Sequence, residues 1–290
     1  MLTRAQAFET LRSNLELTGL QERTVAERQS RLRAVVHGGL DVVGDCLIGS
    51  YRRKTLIGPL SRADVDMMIV LDRMYRDRGP AGVLTLVRDV LAKEYPRTRI
   101  GRNGQAVTVS FSDFAIDVVP AFRFPWWDPR EGWQICDSGT DSWISTDPRA
   151  HEAKSAAGNQ VHDGSLVPRI KQLKAWNHAH GAPLRSFHLE TLAWSVFGTS
   201  SWWPKTFRTD WDAVAYFFRK APDRLAPAGL FSDGAPAGWA YLTGEKRRAA
   251  VSKMRSAHDR CRRAEAAAGD GDLAAMHHAY REIFGNWYPH

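Results

Sequence analysis

Arg62-Ala63-Asp64-Val65-Asp66-Met67-Met68-Ile69-Val70-Leu71 sets two carboxylates, two residues apart, at the head of an apolar run. The stretch Val65 to Leu71 reads as a strand, short, apolar and bounded by polar residues. Alternation along a strand puts Asp64 and Asp66 on one face. Neighbouring like charges at the edge of a hydrophobic strand repel and lose solvation, so they need protons or a cation to persist. Magnesium is the natural cation, because it prefers hard oxygen ligands together with substrate phosphates.

Working outward, about fourteen residues upstream lies Leu47-Ile48-Gly49-Ser50-Tyr51-Arg52-Arg53-Lys54-Thr55, a glycine and a small hydroxyl directly after a second apolar strand, Val42 to Ile48. Exposed backbone N–H groups at such a turn grip a phosphate, glycine admits the anion closely, and the Ser50 hydroxyl adds a hydrogen bond. Downstream, Phe114-Ala115-Ile116-Asp117-Val118-Val119-Pro120-Ala121 places one charge, Asp117, inside a strand that otherwise reads as core. A buried Asp paired with an arginine is the bland account of it. With Asp64 and Asp66 already present, the metal-ligand account is preferred. Two ions held by three carboxylates activate a hydroxyl nucleophile and neutralise a leaving pyrophosphate. The cofactor expected is therefore a pair of Mg2+ ions, with Mn2+ as a substitute.

The chain around these motifs divides in two. Thr3 caps a first helix carrying Phe8, Leu11 and Leu15, and a second runs from about Gln21 to Val36; its Arg23, Arg28, Arg31 and Arg33 read as a solvated face. Further strands are expected over Ala106 to Phe111 and Phe114 to Phe122, with a packed helix over Gly82 to Tyr95. Beyond about Ser165 helices dominate: Leu166 to His180, Leu189 to Phe197, Trp211 to Phe218, Gly244 to Ala267 and Leu273 to Phe284. Between the halves, Phe124-Pro125-Trp126-Trp127-Asp128-Pro129 through Trp133 and Trp143 is irregular and reads as interlobe packing. The 290 residues carry a net charge of +8, which suits a polyanionic partner, nucleic acid or nucleotide. Cys46, Cys136 and Cys261 stand far apart, which excludes a disulfide framework and a cysteine zinc site. No apolar stretch approaches a membrane span and the first residues are polar, so a cytoplasmic protein with no membrane partner is expected.

These residues resemble the cGAS/DncV-like nucleotidyltransferases, a branch of the polymerase-β-like superfamily. Gly49-Ser50-Tyr51-x-x-x-Thr55, Asp64-x-Asp66 and Asp117-Val118-Val119-Pro120-Ala121 match that family's catalytic core in order and spacing. Thr146-Asp147-Pro148-x-x-His151, Lys171-x-x-Lys174-x-Trp176 and Ser186-Phe187-His188-Leu189-Glu190 are similar to elements that follow it. Arg53 and Lys54 depart from the pattern, since the family often has a small residue and a glycine there.

The resemblance implies an α+β fold, a mixed sheet with flanking helices packed on a C-terminal helical lobe. Residues 1–160 would form the catalytic core with the N-terminal helices, and 161–290 the lobe that completes the nucleotide cleft. It implies catalytic and metal-binding roles for Asp64, Asp66 and Asp117. Nucleotide binding falls to Gly49, Ser50, Lys171, Lys174 and Ser186, the two lysines bracing the triphosphate. Taken alone, such lysines read as surface residues and Ser186 as a helix cap.

The activity implied is bacterial synthesis of a cyclic di- or trinucleotide from nucleoside triphosphates, acting through a downstream effector in CBASS antiphage defence. No obligatory nucleic-acid activator is expected. The alternative is addition of a nucleotide to a tRNA, protein or small-molecule acceptor. A nucleic-acid-binding module with a degenerate site is disfavoured by the intact three-Asp set. Asn177, Thr199 and Ser200 stand as candidates for base choice.

Overall fold

The apolar run after the Asp-x-Asp pair is a strand, β2 (Asp64–Leu71), set between β1 (Val42–Ile48), antiparallel, and β5 (Ala115–Arg123), parallel. This computed structural model describes residues 1–125, 132–198, 206–225 and 241–290, with Arg62 and Asp64 described by their backbone alone. Across β5, the first half pairs with β4 (Ala106–Ser110), which pairs in turn with β3 (Arg99–Asn103). The last residues of β5 pair instead with β6 (Trp133–Asp137), and β6 with β7 (Ser142–Thr146), completing a seven-stranded mixed sheet.

Both faces of the central strands are apolar beyond their first residues, which is why β2 reads as an unbroken hydrophobic run. Val65, Met67 and Ile69 are fully buried among Val25, Leu32 and Val36 of α2 (Gly19–Gly39) and Val83, Leu84, Val87 and Leu91 of α4 (Gly79–Glu94). Met68 and Val70 point the other way, against Val119, Ala121, Trp133 and Ile135. Trp133 packs in this second cluster and Trp143 against the first, edge-on to Phe122 at 5.2 Å. Trp126, Trp127, Asp128 and Pro129 lie outside the described residues.

Contacts divide the chain into a sheet unit, Leu17–Glu152, and a helical unit made of Met1–Glu16 with Ala153–His290. The division between the units falls within α5 (Pro148–Val161), and the first two helices belong to different units. The physical reason lies in α1 (Arg4–Leu15) and α10 (Leu273–Phe284). Phe8 meets Tyr280 edge-on at 4.9 Å, and His277 hydrogen-bonds the Leu2 carbonyl at 2.8 Å. Arg12 donates to both oxygens of Asp210, at 2.6 and 2.9 Å, on α8 (Asp210–Leu225). An N-terminus held this way belongs with the helices. Helices α1 and α2 both begin with a reciprocal capping box, Thr3 with Gln6 and Thr18 with Gln21. None of the described helices is long and apolar enough to cross a membrane.

The helical unit also buries charge. Lys174 of α6 (Leu166–Ala179) lies 2.7 Å from Glu190 of α7 (Ser186–Phe197), the side chains 2% and 0% exposed. Lys171, one turn earlier, donates to Glu16 at 2.6 Å, where Glu16 is 57% exposed. Removing one partner of a buried ion pair destabilises a protein by about 3–5 kcal/mol, whereas pairs with an exposed member contribute about 0–1 kcal/mol. Lys174→Ala is therefore expected to lower the melting temperature sharply and Lys171→Ala only slightly. Thermal denaturation of both variants checks this, and equal melting temperatures would show the Lys174 pair to be inconsequential.

Candidate functional site

The sheet's register assembles the acidic motifs into a row. Asp66 pairs with Asp117 on the neighbouring parallel strand, Asp117 with Thr108 on β4, and Asp66 with Ile48 on β1. Register partners project from the same face, so Asp66 and Asp117 stand side by side on the face away from α2 and α4. Both are half-buried, and both lie near the starts of their strands, before the apolar residues close over the sheet. Asp64 occupies the strand position two residues earlier, on the same face, opposite Ala115; its side chain lies outside the described residues.

Thr108 fixes one carboxylate. Its hydroxyl donates to Asp117 Oδ1 at 2.5 Å, a hydrogen bond that orients the carboxylate. The strand Ala106 to Phe111 was legible in the sequence, but Thr108 was not singled out, because its role depends on a register that spacing does not give. The other carboxylate is set by the turn after β1. Gly49, at φ +69°, begins the short helix α3 (Gly49–Arg52), and a Cβ built on it would overlap Asp66 Oδ2 and lie 2.7 Å from Asp66 Cγ. Only glycine admits both this backbone conformation and this carboxylate.

Ser50 follows, half-buried, its carbonyl accepting from the backbone N–H groups of Thr55 at 2.9 Å and Leu56 at 3.1 Å. Thr55 is fully buried and its hydroxyl donates weakly to the same carbonyl at 3.4 Å. The Gly-Ser to Thr spacing thus closes a small loop that holds the turn from behind. Lys54 sits inside that loop at φ +59°, the left-handed region where glycine is free of strain.

The remaining expected residues lie in the helical unit, away from this row in sequence and each with its own setting. Lys171 and Lys174 form the ion pairs with Glu16 and Glu190. Ser186 is exposed at the first turn of α7, and Arg185, not Ser186, holds the cap position, without a side-chain capping bond. Asn177 is buried and ties the α6–α7 connection, donating to the Leu184 carbonyl at 2.7 Å and accepting from Leu184 N–H at 3.1 Å. Thr199 and Ser200 lie outside the described residues.

The donor set fits a magnesium site. Two half-buried carboxylates in register on adjacent strands supply hard anionic oxygens that repel each other without a cation. The Gly49-Ser50 turn meets the same row, where backbone and hydroxyl donors suit a phosphate.

The sheet that carries the acid row has the fold of the Vibrio cholerae di-nucleotide cyclase DncV, with a TM-score of 0.65 at 16% identity over 85% of this chain and 70% of that chain. The family model for the Second Messenger Oligonucleotide or Dinucleotide Synthetase domain (SMODS) matches residues 1–159, and the chain belongs to that family. It is 24% identical over 200 residues to a probable cyclic nucleotide synthase of Bacillus cereus, covering 58% of this chain and 59% of that protein. It is 28% identical over 205 residues to a cyclic AMP-AMP-AMP synthase of an Acinetobacter species, covering 66% of this chain and 58% of that protein. The chain therefore spans less than two thirds of the length of either curated relative. In fold it is similar to Escherichia coli MS115-1 CdnC, solved with ATP and in a complex with HORMA-deltaN. Each comparison has a TM-score of 0.74 at 16% identity over 99% of this chain, covering 99% and 98% of the matched chains respectively.

Gly49→Ala would force a left-handed alanine into the Asp66 carboxylate, a strain on the order of 1–3 kcal/mol that moves either the turn or the acid. The expected result is a fall of at least about 3 °C in melting temperature for a domain of this size, read by calorimetry. An unshifted transition would mean that the turn has another conformation.

Proposed function

We propose that this chain is a magnesium-dependent nucleotidyltransferase that joins nucleoside triphosphates into a cyclic di- or trinucleotide. The observation that carries the reading is the register of Asp66 with Asp117 against the Gly49-Ser50 turn. Asp64, Asp66 and Asp117 would hold Mg2+, which when bound neutralises the triphosphate and stabilises the leaving pyrophosphate. Gly49 leaves the backbone open to the phosphates, and Ser50, its carbonyl tied back to Thr55, presents its hydroxyl to a phosphate oxygen.

Asp117, held by Thr108, is the base positioned to accept the proton of the attacking ribose hydroxyl. The ribose oxygen bonds to the α-phosphorus, the bond to the bridging oxygen breaks, and pyrophosphate departs. A second round on the linear intermediate closes the ring. The curated relatives, named as cyclic nucleotide synthases, support this product class over transfer to an external acceptor. In this reading the product is a second messenger that switches on an effector in CBASS antiphage defence. The likeness to a CdnC solved in a HORMA complex supports control by a partner protein. Lys171 and Lys174, paired in this structure with Glu16 and Glu190, remain the proposed phosphate contacts of the helical unit.

Asp66→Asn and Asp117→Asn should each lower product formation about a thousandfold or more, several kcal/mol of transition-state stabilisation, while leaving the protein folded. Neutralising one of two facing carboxylates should hold or raise the metal-free melting temperature. Labelled nucleoside triphosphates with Mg2+ should yield a phosphatase-resistant small product without added acceptor. Label appearing only on an added acceptor would replace cyclisation with transfer, and near wild-type turnover in either folded variant would sink the metal-site reading.

A further inference from the structure

The sheet unit holds a cavity of about 660 Å3, inside the range of roughly 300–1,000 Å3 that small ligands occupy. Its apolar floor is Met68, Val70 and Trp133, which continue the Asp66 face of the sheet toward the far ends of the strands. Neither Asp66, Asp117 nor Ser50 lines it. The cavity opens at β1, which among the described residues pairs only with β2 and so leaves its outer backbone donors at the edge.

Five arginines line this space against two carboxylates. The carboxylates are already engaged: Asp45 by Arg33 at 2.5 Å and His37 at 3.0 Å, and Glu152 by Arg52 at 2.9 Å. Arg123 and Arg149 are exposed, and neither has a carboxylate partner among the described residues. The Arg149 guanidinium lies over the Trp133 ring, its central carbon 4.6 Å from the centroid, which holds the cation at the wall of the cavity. Arg53 completes the set. The guanidinium charge of Arg123 and Arg149, held in one concavity without a carboxylate partner among the described residues, is unfavourable by itself and is relieved by a multiply charged anion. Guanidinium forks match phosphate oxygens bidentately.

We infer that this cavity binds a small anion carrying phosphate groups, separately from the acidic row. Its wall includes Ile48 and Gly49, so a bound anion would lie against the same turn whose backbone borders Asp66. Charge density commits the assignment to phosphate rather than carboxylate. Inorganic pyrophosphate and a nucleoside triphosphate are two sources of that chemistry.

The test is calorimetric titration of the full chain with inorganic pyrophosphate in excess chelator, so that neither metal binding nor turnover contributes. One saturable site is expected, with the same affinity in the Asp66→Asn/Asp117→Asn variant and at least tenfold weaker in Arg123→Ala/Arg149→Ala. Both arginines are exposed, and thermal melts confirm that the pair variant is folded. Tighter binding of ATP than of pyrophosphate would identify a nucleotide as the occupant, and equal binding the phosphate groups alone. No saturation by pyrophosphate, undiminished affinity in the arginine variant, or equal affinity for citrate would each overturn the inference.

Discussion

Two carboxylates in register on parallel strands are the constraint to which the rest of the sheet unit is fitted. Asp66 and Asp117 are each followed by strand residues buried on both faces, so the sheet must keep its first residues open while sealing the remainder. Each neighbouring strand contributes one adjustment. From β4 comes a hydroxyl that donates to Asp117, and from the turn after β1 a residue with no side chain where Asp66 needs room. The two devices are different in kind, one a bond from the middle of β4 and the other a vacated volume just past the end of β1.

The sequence carried much of this because its strongest signals were local. An apolar run opened by alternating acids specifies a strand and the face its charges share, and β1 and α10 have the expected limits, Val42–Ile48 and Leu273–Phe284. What escaped depends on partners distant in the chain. The strands β3, β6 and β7 have only five residues each and too little alternation to stand out, and α5 has few apolar positions. The role of Thr108 depends on a register with Asp117, and the role of Thr55 on a carbonyl five residues before it. Neither is written in residue type.

The helical unit teaches a different lesson about charge. Lys171 and Lys174 share a helix face by their spacing, and that spacing fits a phosphate clamp and a pair of internal ion bridges equally well. In the structure Lys171 meets Glu16 and Lys174 meets Glu190. A lysine buried beside a carboxylate has its ammonium desolvated and matched at once, which makes it part of the packing.

The union of α1 with α10 has a consequence for the order in which the molecule is made. Residues 17–152 form a contiguous stretch whose strands and covering helices all emerge from the ribosome together. Phe8 and the Leu2 carbonyl, by contrast, meet Tyr280 and His277 across more than two hundred and fifty residues of intervening chain. During synthesis, at about 5–20 residues per second, the first helix therefore waits on the order of ten seconds or more with its apolar stripe uncovered while the sheet unit forms. The capping boxes at Thr3 and Thr18 favour the first turns of both early helices, while α1 gains its tertiary packing only when α10 arrives.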